Sequence, residues 1–565
     1  MPAYLGGPSW PEMDAALAAG DLPGAVRLAQ DDARVDPAER QLVIGVCCSM
    51  TGRGEQAVSA LSDSLRAFAP TQPARAAVAA VFLGRLHFFG FDSPAVASGW
   101  FARARRLVAD RPDCLEAALV ALPLPGCDIP DIARLHEDAT RALSIARSFG
   151  EPSIQAKALA DLGTAQVSRA LVAEGMELLD EAMSMVLSRE ASSPIAAVEV
   201  VCNLLSACAR VGDLDRADQW TRAAERHLGL GVDRGPAFLY AHCRSHLGLI
   251  LCDVGRWDEA EVALRLAGGR APYGGARIAG QSRAALAELW IAQGRLADAR
   301  RLIVDRADHP DTVLPLAALL MAEGHHGDAV VVARRGIELM GDDRVRIARL
   351  LVICVQAALA CEDLAGARSA AGELDLLAAD RDLPVLRARA ALARGALAQA
   401  VGNGEAADAA FADGLAALAN HQWPILRAEL NLSRARLLAD SDPSAAVDAA
   451  RSAHLTYERL GAPAAADTAD LLTGLGVPTR ARTRRADATA SLSGREEQVL
   501  ELLRDGLSNA EIAARLHNSV RTIEHHVSAV LAKLGLRSRA EAAAYAVSLE
   551  VQGRSAAPAA GGRTG

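Results

Sequence analysis

The feature that most limits what this chain can fold into is a turn residue followed five positions later by alanine, repeated along most of its length. Gly20 pairs with Ala25, Gly52 with Ala57, Gly90 with Ala95, Ser168 with Ala173, and Gly212 with Ala217. Gly255 and Ala260, Gly294 and Ala299, Gly324 and Ala329, Glu362 and Ala367, Gly402 and Ala407, and Ser441 and Ala446 continue the series. Most of these turns lie roughly 30 to 43 residues apart, a period that belongs to solenoids. The longer gap between Gly90 and Ser168 leaves room for one degenerate unit around Leu124–Pro130. Physically, the turn residue ends one helix, where glycine accepts a left-handed cap cheaply. An alanine one turn into the next helix lets two antiparallel helices cross closely. Such a pair cannot bury its apolar faces alone, so neighbouring pairs must stack.

Composition agrees with helices. Of the 565 residues 51% are apolar but only 4% aromatic, so alanine, leucine and valine carry the hydrophobicity. Strands favour β-branched and aromatic residues instead. The pattern resembles tetratricopeptide repeats, with an irregular period and without the full consensus that begins with Trp-Leu-Gly and Tyr. It implies an all-α, tetratricopeptide-like superhelix of about a dozen hairpins over residues 10–475. Such an array offers a concave surface for an unknown protein or small-molecule effector.

Several chemistries are excluded at this stage. Lys157 and Lys533 are the only lysines, and each follows an alanine, so no GxxxxGK[ST] phosphate loop exists. The same two residues give no suitable Schiff-base or kinase lysine. The ten cysteines form no CxxC and stand at no zinc-finger spacing from histidines. They read as small buried core residues in a reducing compartment. His325-His326 falls on a hairpin turn and reads as solvated rather than as a metal site. Neither catalytic residues, nor a metal, nor a cofactor is expected, and the chain is not expected to be an enzyme. The N-terminus lacks a signal-peptide pattern. Leu350–Cys361, read as the most apolar stretch, is too short to span a bilayer. A cytoplasmic protein with no membrane partner is expected.

Composition changes after Gly476. Residues 476–487 hold Arg480, Arg482, Arg484 and Arg485 among small residues and read as a flexible basic linker. Residues 488–551 then carry three Ser-x-x-Glu capping boxes, Ser493/Glu496, Ser508/Glu511 and Ser538/Glu541. With Ser519 as a further N-cap, they predict four short helices, and residues 552–565 a disordered tail. The second and third helices have helix-turn-helix dimensions. In the third, Ile523, Val527, Val530 and Leu534 make one buried stripe. Arg521, Glu524, His525 and Ser528 fall opposite it, as groups able to read bases or grip phosphates. His526 points closer to the stripe than to that face.

These residues carry a second resemblance. Leu492-Ser493-x-Arg495-Glu496-x-x-Val499-Leu500, Gly506-Leu507-Ser508-Asn509-x-Glu511-Ile512-Ala513, Arg521-Thr522-Ile523-Glu524-x-His526-Val527, Lys533-Leu534-Gly535 and Ser538-Arg539 closely resemble the LuxR-type helix-turn-helix domain. The resemblance implies a transcription regulator, expected as an activator, that binds double-stranded promoter DNA as a homodimer with RNA polymerase as a partner. It places Glu524, His525 and Ser528 at base-reading positions. Thr522 and Lys533 occupy backbone-contacting positions, with Ser508, Asn509, Arg521 and the four linker arginines as further backbone candidates. Two residues depart from the family pattern. Lysine is frequent where Glu524 stands, and an apolar residue is usual at Asn518. Glutamate accepts from cytosine N4 where lysine donates to guanine, so a different operator follows.

Helical repeats ending in such a domain resemble the large ATP-binding LuxR-family regulators, without their ATPase domain. The repeat array is then the expected sensor. The alternative is a repeat-based adaptor whose C-terminal domain mainly dimerises. Net charge does not decide against DNA. Residues 480–545 hold eleven basic and eight acidic groups, a net of +3 within a chain of net -9.

Overall fold

The computed structural model describes residues 10–478 apart from 19–20, 33, 129–130, 229–236, 270–275, 307–309 and 380–382. It also describes 494–534 apart from 505–506 and 517, together with 539 and 542. The chain forms two compact units, 1–477 and 478–565, and among the described residues every regular element is helical.

The first unit is a series of antiparallel hairpins whose ends are written in the sequence. Proline opens the first helix of many hairpins, as in Pro37–Met50, Pro73–Arg85, Pro152–Ser168, Pro194–Val211 and Pro384–Ala400. Its missing N–H costs nothing there. Asp or Asn side chains accept from the first-turn amides of several second helices: Asp21 from Gly24, Asp363 from Gly366, Asn403 from Ala406 and Asp442 from Ala445.

Between the two helices the chain turns through a left-handed residue. Gly52, Gly212, Gly255, Gly294, Gly324 and Gly402 have φ between 74° and 81°, and Glu362 has φ 60°. The alanine five positions later is fully buried in each case, at Ala57, Ala217, Ala260, Ala299, Ala329, Ala407 and Ala367. Two expected pairs are displaced, and in a third, Ser441 and Ala446, the alanine is fully buried but no left-handed residue stands in the turn. The left-handed residues are Asp92 and Ala170, not Gly90 and Ser168. The residues packed at the crossing are therefore Ala97 and Gly175, while Ala95 and Ala173 are exposed. Gly20 lies outside the described residues.

A second rule accompanies the first. In four hairpins a glycine seven positions before the left-handed residue faces a large side chain nine positions after it. A Cβ on Gly45 would lie 2.5 Å from Leu61, one on Gly163 2.8 Å from Leu179, and one on Gly248 2.6 Å from Leu264. On Gly395 it would lie 2.3 Å from the Phe411 ring. In the hairpin around Asp92 the glycine, Gly84 under Phe101, stands eight positions before. A π-turn over Leu86–Gly90 supplies the extra residue.

The degenerate unit is organised by buried charge. Lys157, 1% exposed, makes ion pairs with Asp161 at 3.1 Å and Glu199 at 2.8 Å, and donates to the Leu124 carbonyl at 3.0 Å. Arg85 pairs with the same Glu199 and donates to the Pro123 carbonyl at 3.2 Å. Asp161 also accepts from the Gly126 amide at 2.8 Å and from Asn203 at 2.7 Å, while Asn203 accepts from the Cys127 amide at 3.0 Å. The irregular segment 122–128 is thereby fixed inside the array, its carbonyls and amides satisfied by side chains. Burial works against the Lys157 ammonium, but Asp161 and Glu199 outweigh it and hold its pKa above the usual lysine value. Burial likewise opposes charge on Glu199, and Arg85 and Lys157 hold it below the usual carboxylate range.

Among the described residues Pro194–Val211, not Leu350–Cys361, is the helix long and apolar enough by composition to cross a membrane. Of its apolar window 72% is buried inside the array, and it contributes Glu199 and Asn203 to the ion network, so it is a core helix. Six cysteines are buried as expected, three are half-buried, and Cys361 is exposed.

Hairpins distant in sequence also meet. A Cβ on Gly212 would lie 2.7 Å from the Trp423 ring, and one on Gly294 2.5 Å from Pro463. Arg210 pairs with Asp343 at 3.3 Å and Arg349 with Glu288 at 2.5 Å.

Candidate nucleic-acid interface

The second unit builds its core from Val499, Leu500 and Leu503 of helix Gly494–Arg504, Ile512 and Ala513 of helix Asn509–Arg515, and Ile523, Val527 and Val530 of helix Val520–Leu534. Ala542 joins the same cluster. The stripe expected on the third helix is thus the packed one. Leu534 ends that helix, and its side chain lies outside the described residues.

Two caps set the helix-turn-helix. Ser508 and Glu511 form a complete capping box. The Glu511 amide donates to Ser508 Oγ at 3.3 Å, and the Ser508 amide and hydroxyl donate to Glu511 Oε2 at 2.7 Å each. These bonds from Ser508 hold the Glu511 carboxyl below its ordinary range. Ser519 caps the third helix, accepting from the Thr522 amide at 3.1 Å. Its hydroxyl also bonds the Thr522 hydroxyl at 2.7 Å. The boxes expected at Ser493 and Ser538 lie outside the described residues.

Two arginines that sequence reasoning gave no structural role complete the frame. Arg495 donates to the Leu516 carbonyl at 2.7 Å, closing the C-terminal end of Asn509–Arg515. Arg539 donates to Asn509 Oδ1 at 2.6 Å, tying the start of that helix to the last segment.

With the stripe buried, Arg521, Glu524, His525 and Ser528 are exposed together on the opposite face of Val520–Leu534. His526 is half-buried, between the two faces, and Thr522 is half-buried beside its cap. Asn509 is half-buried and Ser508 exposed, both engaged in the internal bonds above. The side chain of Lys533 and the linker arginines Arg480, Arg482, Arg484 and Arg485 lie outside the described residues. In the repeat array His325 is exposed at its turn.

A positioned helix showing a cation, a carboxylate, an imidazole and a hydroxyl in adjacent turns has the donors and acceptors that base edges in a major groove require. Residues 490–546 match the model of the family described as bacterial regulatory proteins, luxR family. The DNA-binding transcriptional activator DevR/DosR of Mycobacterium tuberculosis is 37% identical over 71 residues, 13% of this chain and 33% of that protein. Response regulator Rre1 of Synechocystis sp. is 38% identical over 73 residues, 13% of this chain and 32% of that one. The chain therefore spans about a third of the length of these relatives. The structure of the APC/C hetero-tetramer Cut9-Hcn1 is similar at 11% identity, covering 82% of this chain and 92% of that one, with a TM-score of 0.35. Capped helices, packed stripe, exposed polar face and family match coincide in one segment: residues 490–546 are a helix-turn-helix domain of the LuxR family.

Proposed function

We propose that this protein is a sequence-specific DNA-binding transcription regulator. The carrying observation is the polar face of Val520–Leu534, with Arg521, Glu524, His525 and Ser528 exposed on a helix whose opposite stripe is buried. In a helix-turn-helix the N-terminal half of the second helix meets the base edges. Glu524 then accepts from cytosine N4, Ser528 bonds either donor or acceptor, and His525 reads from the adjacent turn. Arg521, Thr522, Lys533, the Ser508–Asn509 helix start and the linker arginines serve the phosphates and set the register. The domain acts as a homodimer on promoter DNA and contacts RNA polymerase as an activator. The repeat array receives a partner or ligand that governs dimerisation or access of the domain to DNA.

The test is a footprint and an anisotropy titration on the protein's own upstream region, across a salt series. Sequence-specific protection that Ser528→Ala and Glu524→Ala weaken by about 1–3 kcal/mol each at particular base pairs supports the proposal. For Arg521→Ala the expected effect is a uniform loss of affinity and a shallower salt slope. Binding that is salt-sensitive but blind to sequence would refute it, and would favour an adaptor whose C-terminal domain mainly dimerises.

A further inference from the structure

Three segments far apart in the chain bring soft donors together inside the repeat array. The short turn Gly126–Asp128 carries Cys127, and helix Ala237–Asp253 carries His242 and His246 one helical turn apart. Cys127 Sγ and one ring nitrogen from each histidine all lie within 4.8 Å of one another. Helix Pro194–Val211 adds Cys202, whose Sγ is 2.9 Å from that of Cys243, in one packed cluster with Cys127. We infer that Cys127, His242 and His246 form a binding site for a divalent metal ion of the zinc class.

The donor set suits such an ion. One thiolate and two imidazoles make a borderline-soft triad, and tetrahedral zinc with three protein ligands keeps a fourth position open. His246 Nε2 is buried and accepts or donates no hydrogen bond among the described residues.

The surroundings are those of a built site. Asp128 Oδ2 lies 3.6 Å from His242 Nε2 and 4.0 Å from Cys127 Sγ, while Asp128 Oδ1 accepts from Gln281 at 3.1 Å. A carboxylate so placed orients a ligating histidine and raises its basicity. The turn that carries Cys127 is pinned by the Lys157–Asp161–Asn203 network, which fixes its amides at 2.8 and 3.0 Å. Preorganisation of this kind lowers the ordering cost of binding. A cavity of about 630 Å³, lined by Phe88, Phe101, Leu124 and Asp128, reaches the carboxylate beside the triad. Binding displaces the thiol proton from Cys127, so metal uptake releases a proton.

The site is independent of the DNA-binding reading and is tested on the full chain without DNA. After reduction and removal of metal, the chain is titrated with Co²⁺ and with Zn²⁺. The expected result is about one equivalent of tightly bound ion, intense d–d bands of tetrahedral cobalt, and a thiolate-to-metal charge-transfer band. Cys127→Ser removes the charge-transfer band, His246→Asn removes uptake, and Cys202→Ser retains both. Asp128→Asn keeps all three ligands and weakens binding by about 10–100-fold, which guards against a variant that fails for want of folding. No uptake by the reduced chain, or a cobalt spectrum unchanged in Cys127→Ser, would overturn the inference. So would a Cys202–Cys243 disulfide found by peptide mass spectrometry in a chain that takes up no metal.

Discussion

Replacing Lys157 by methionine should unfold the repeat array more readily, and by an amount that depends on pH in a definite sense. Lys157 directs its ammonium at Asp161, Glu199 and the Leu124 carbonyl, all within 3.1 Å, at a site 1% exposed. With Arg85 the four ionised groups balance; without Lys157 one buried carboxylate is left over. Breaking a buried pair by removing one partner costs about 3–5 kcal/mol. Asp161 keeps its bonds from Asn203 and the Gly126 amide, and Glu199 keeps Arg85, so about 4 kcal/mol is expected at pH 8. The uncompensated carboxyl then has a folded pKa raised above its unfolded value. Stability lost through a raised carboxyl pKa returns as pH falls, by up to about 1.4 kcal/mol per pH unit. Urea denaturation of the full chain followed by far-UV circular dichroism, at about pH 8 and pH 5, should therefore show a smaller penalty at pH 5. The double variant Lys157→Met/Asp161→Asn should recover a large part of the loss at pH 8. A penalty below about 1 kcal/mol, or one equal at both pH values, would refute the reasoning.

Three further outcomes follow from the packing. Gly395→Ala places a methyl 2.3 Å from the buried Phe411 ring and should cost about 1–3 kcal/mol. Phe411→Leu in the same chain should restore part of it, whereas Gly99→Ala, on an exposed helical face with nothing within 4 Å, should stabilise by about 0.5–1 kcal/mol; thermal denaturation reads all three. Ser508→Ala opens the capping box and should lower the stability of the C-terminal unit by about 1 kcal/mol, measured by hydrogen exchange of the Ile512 and Ala513 amides. Burial pushes the Asp253 carboxyl up to about 6, against Arg349 and Arg389, so the native array holds a proton there that the unfolded chain releases nearer 4. Raising the pH through that window should cost on the order of 2 kcal/mol once partial solvent exposure is allowed for, and Asp253→Asn should flatten the urea midpoint over the same range.

How far the fold is legible depends on what each residue has to meet. The turn and its alanine are local, so most pairs, from Gly52/Ala57 to Gly402/Ala407, stand where their spacing puts them. Gly90/Ala95 is displaced because a π-turn lengthens its first helix, and Ser168/Ala173 because a left-handed alanine, Ala170, carries no signature of its own. The glycine that receives a large side chain from the second helix is invisible singly, since Gly395 has meaning only beside Phe411. In the helix-turn-helix unit the Ser508 and Ser519 caps were readable, because their partners lie three residues away. The bonds from Arg495 to Leu516 and from Arg539 to Asn509 were not, because the partners lie 21 and 30 positions apart. The same distance hides the Cys127, His242 and His246 triad, although a His-x-x-x-His on one helix was a usable sign.

The contacts of the Gly212 turn with Trp423 and of the Gly294 turn with Pro463 have a consequence for how the array can change. In an open solenoid each hairpin touches only its neighbours, so repeats can be gained or lost one at a time. Here the hairpins between residues 212 and 423 act as a spacer of fixed pitch. Deleting one hairpin from that stretch would carry Trp423 away from the glycine that receives it and set a different side chain against a turn with no room for it. A change in repeat number between residues 212 and 423 should therefore cost more stability than one outside that stretch.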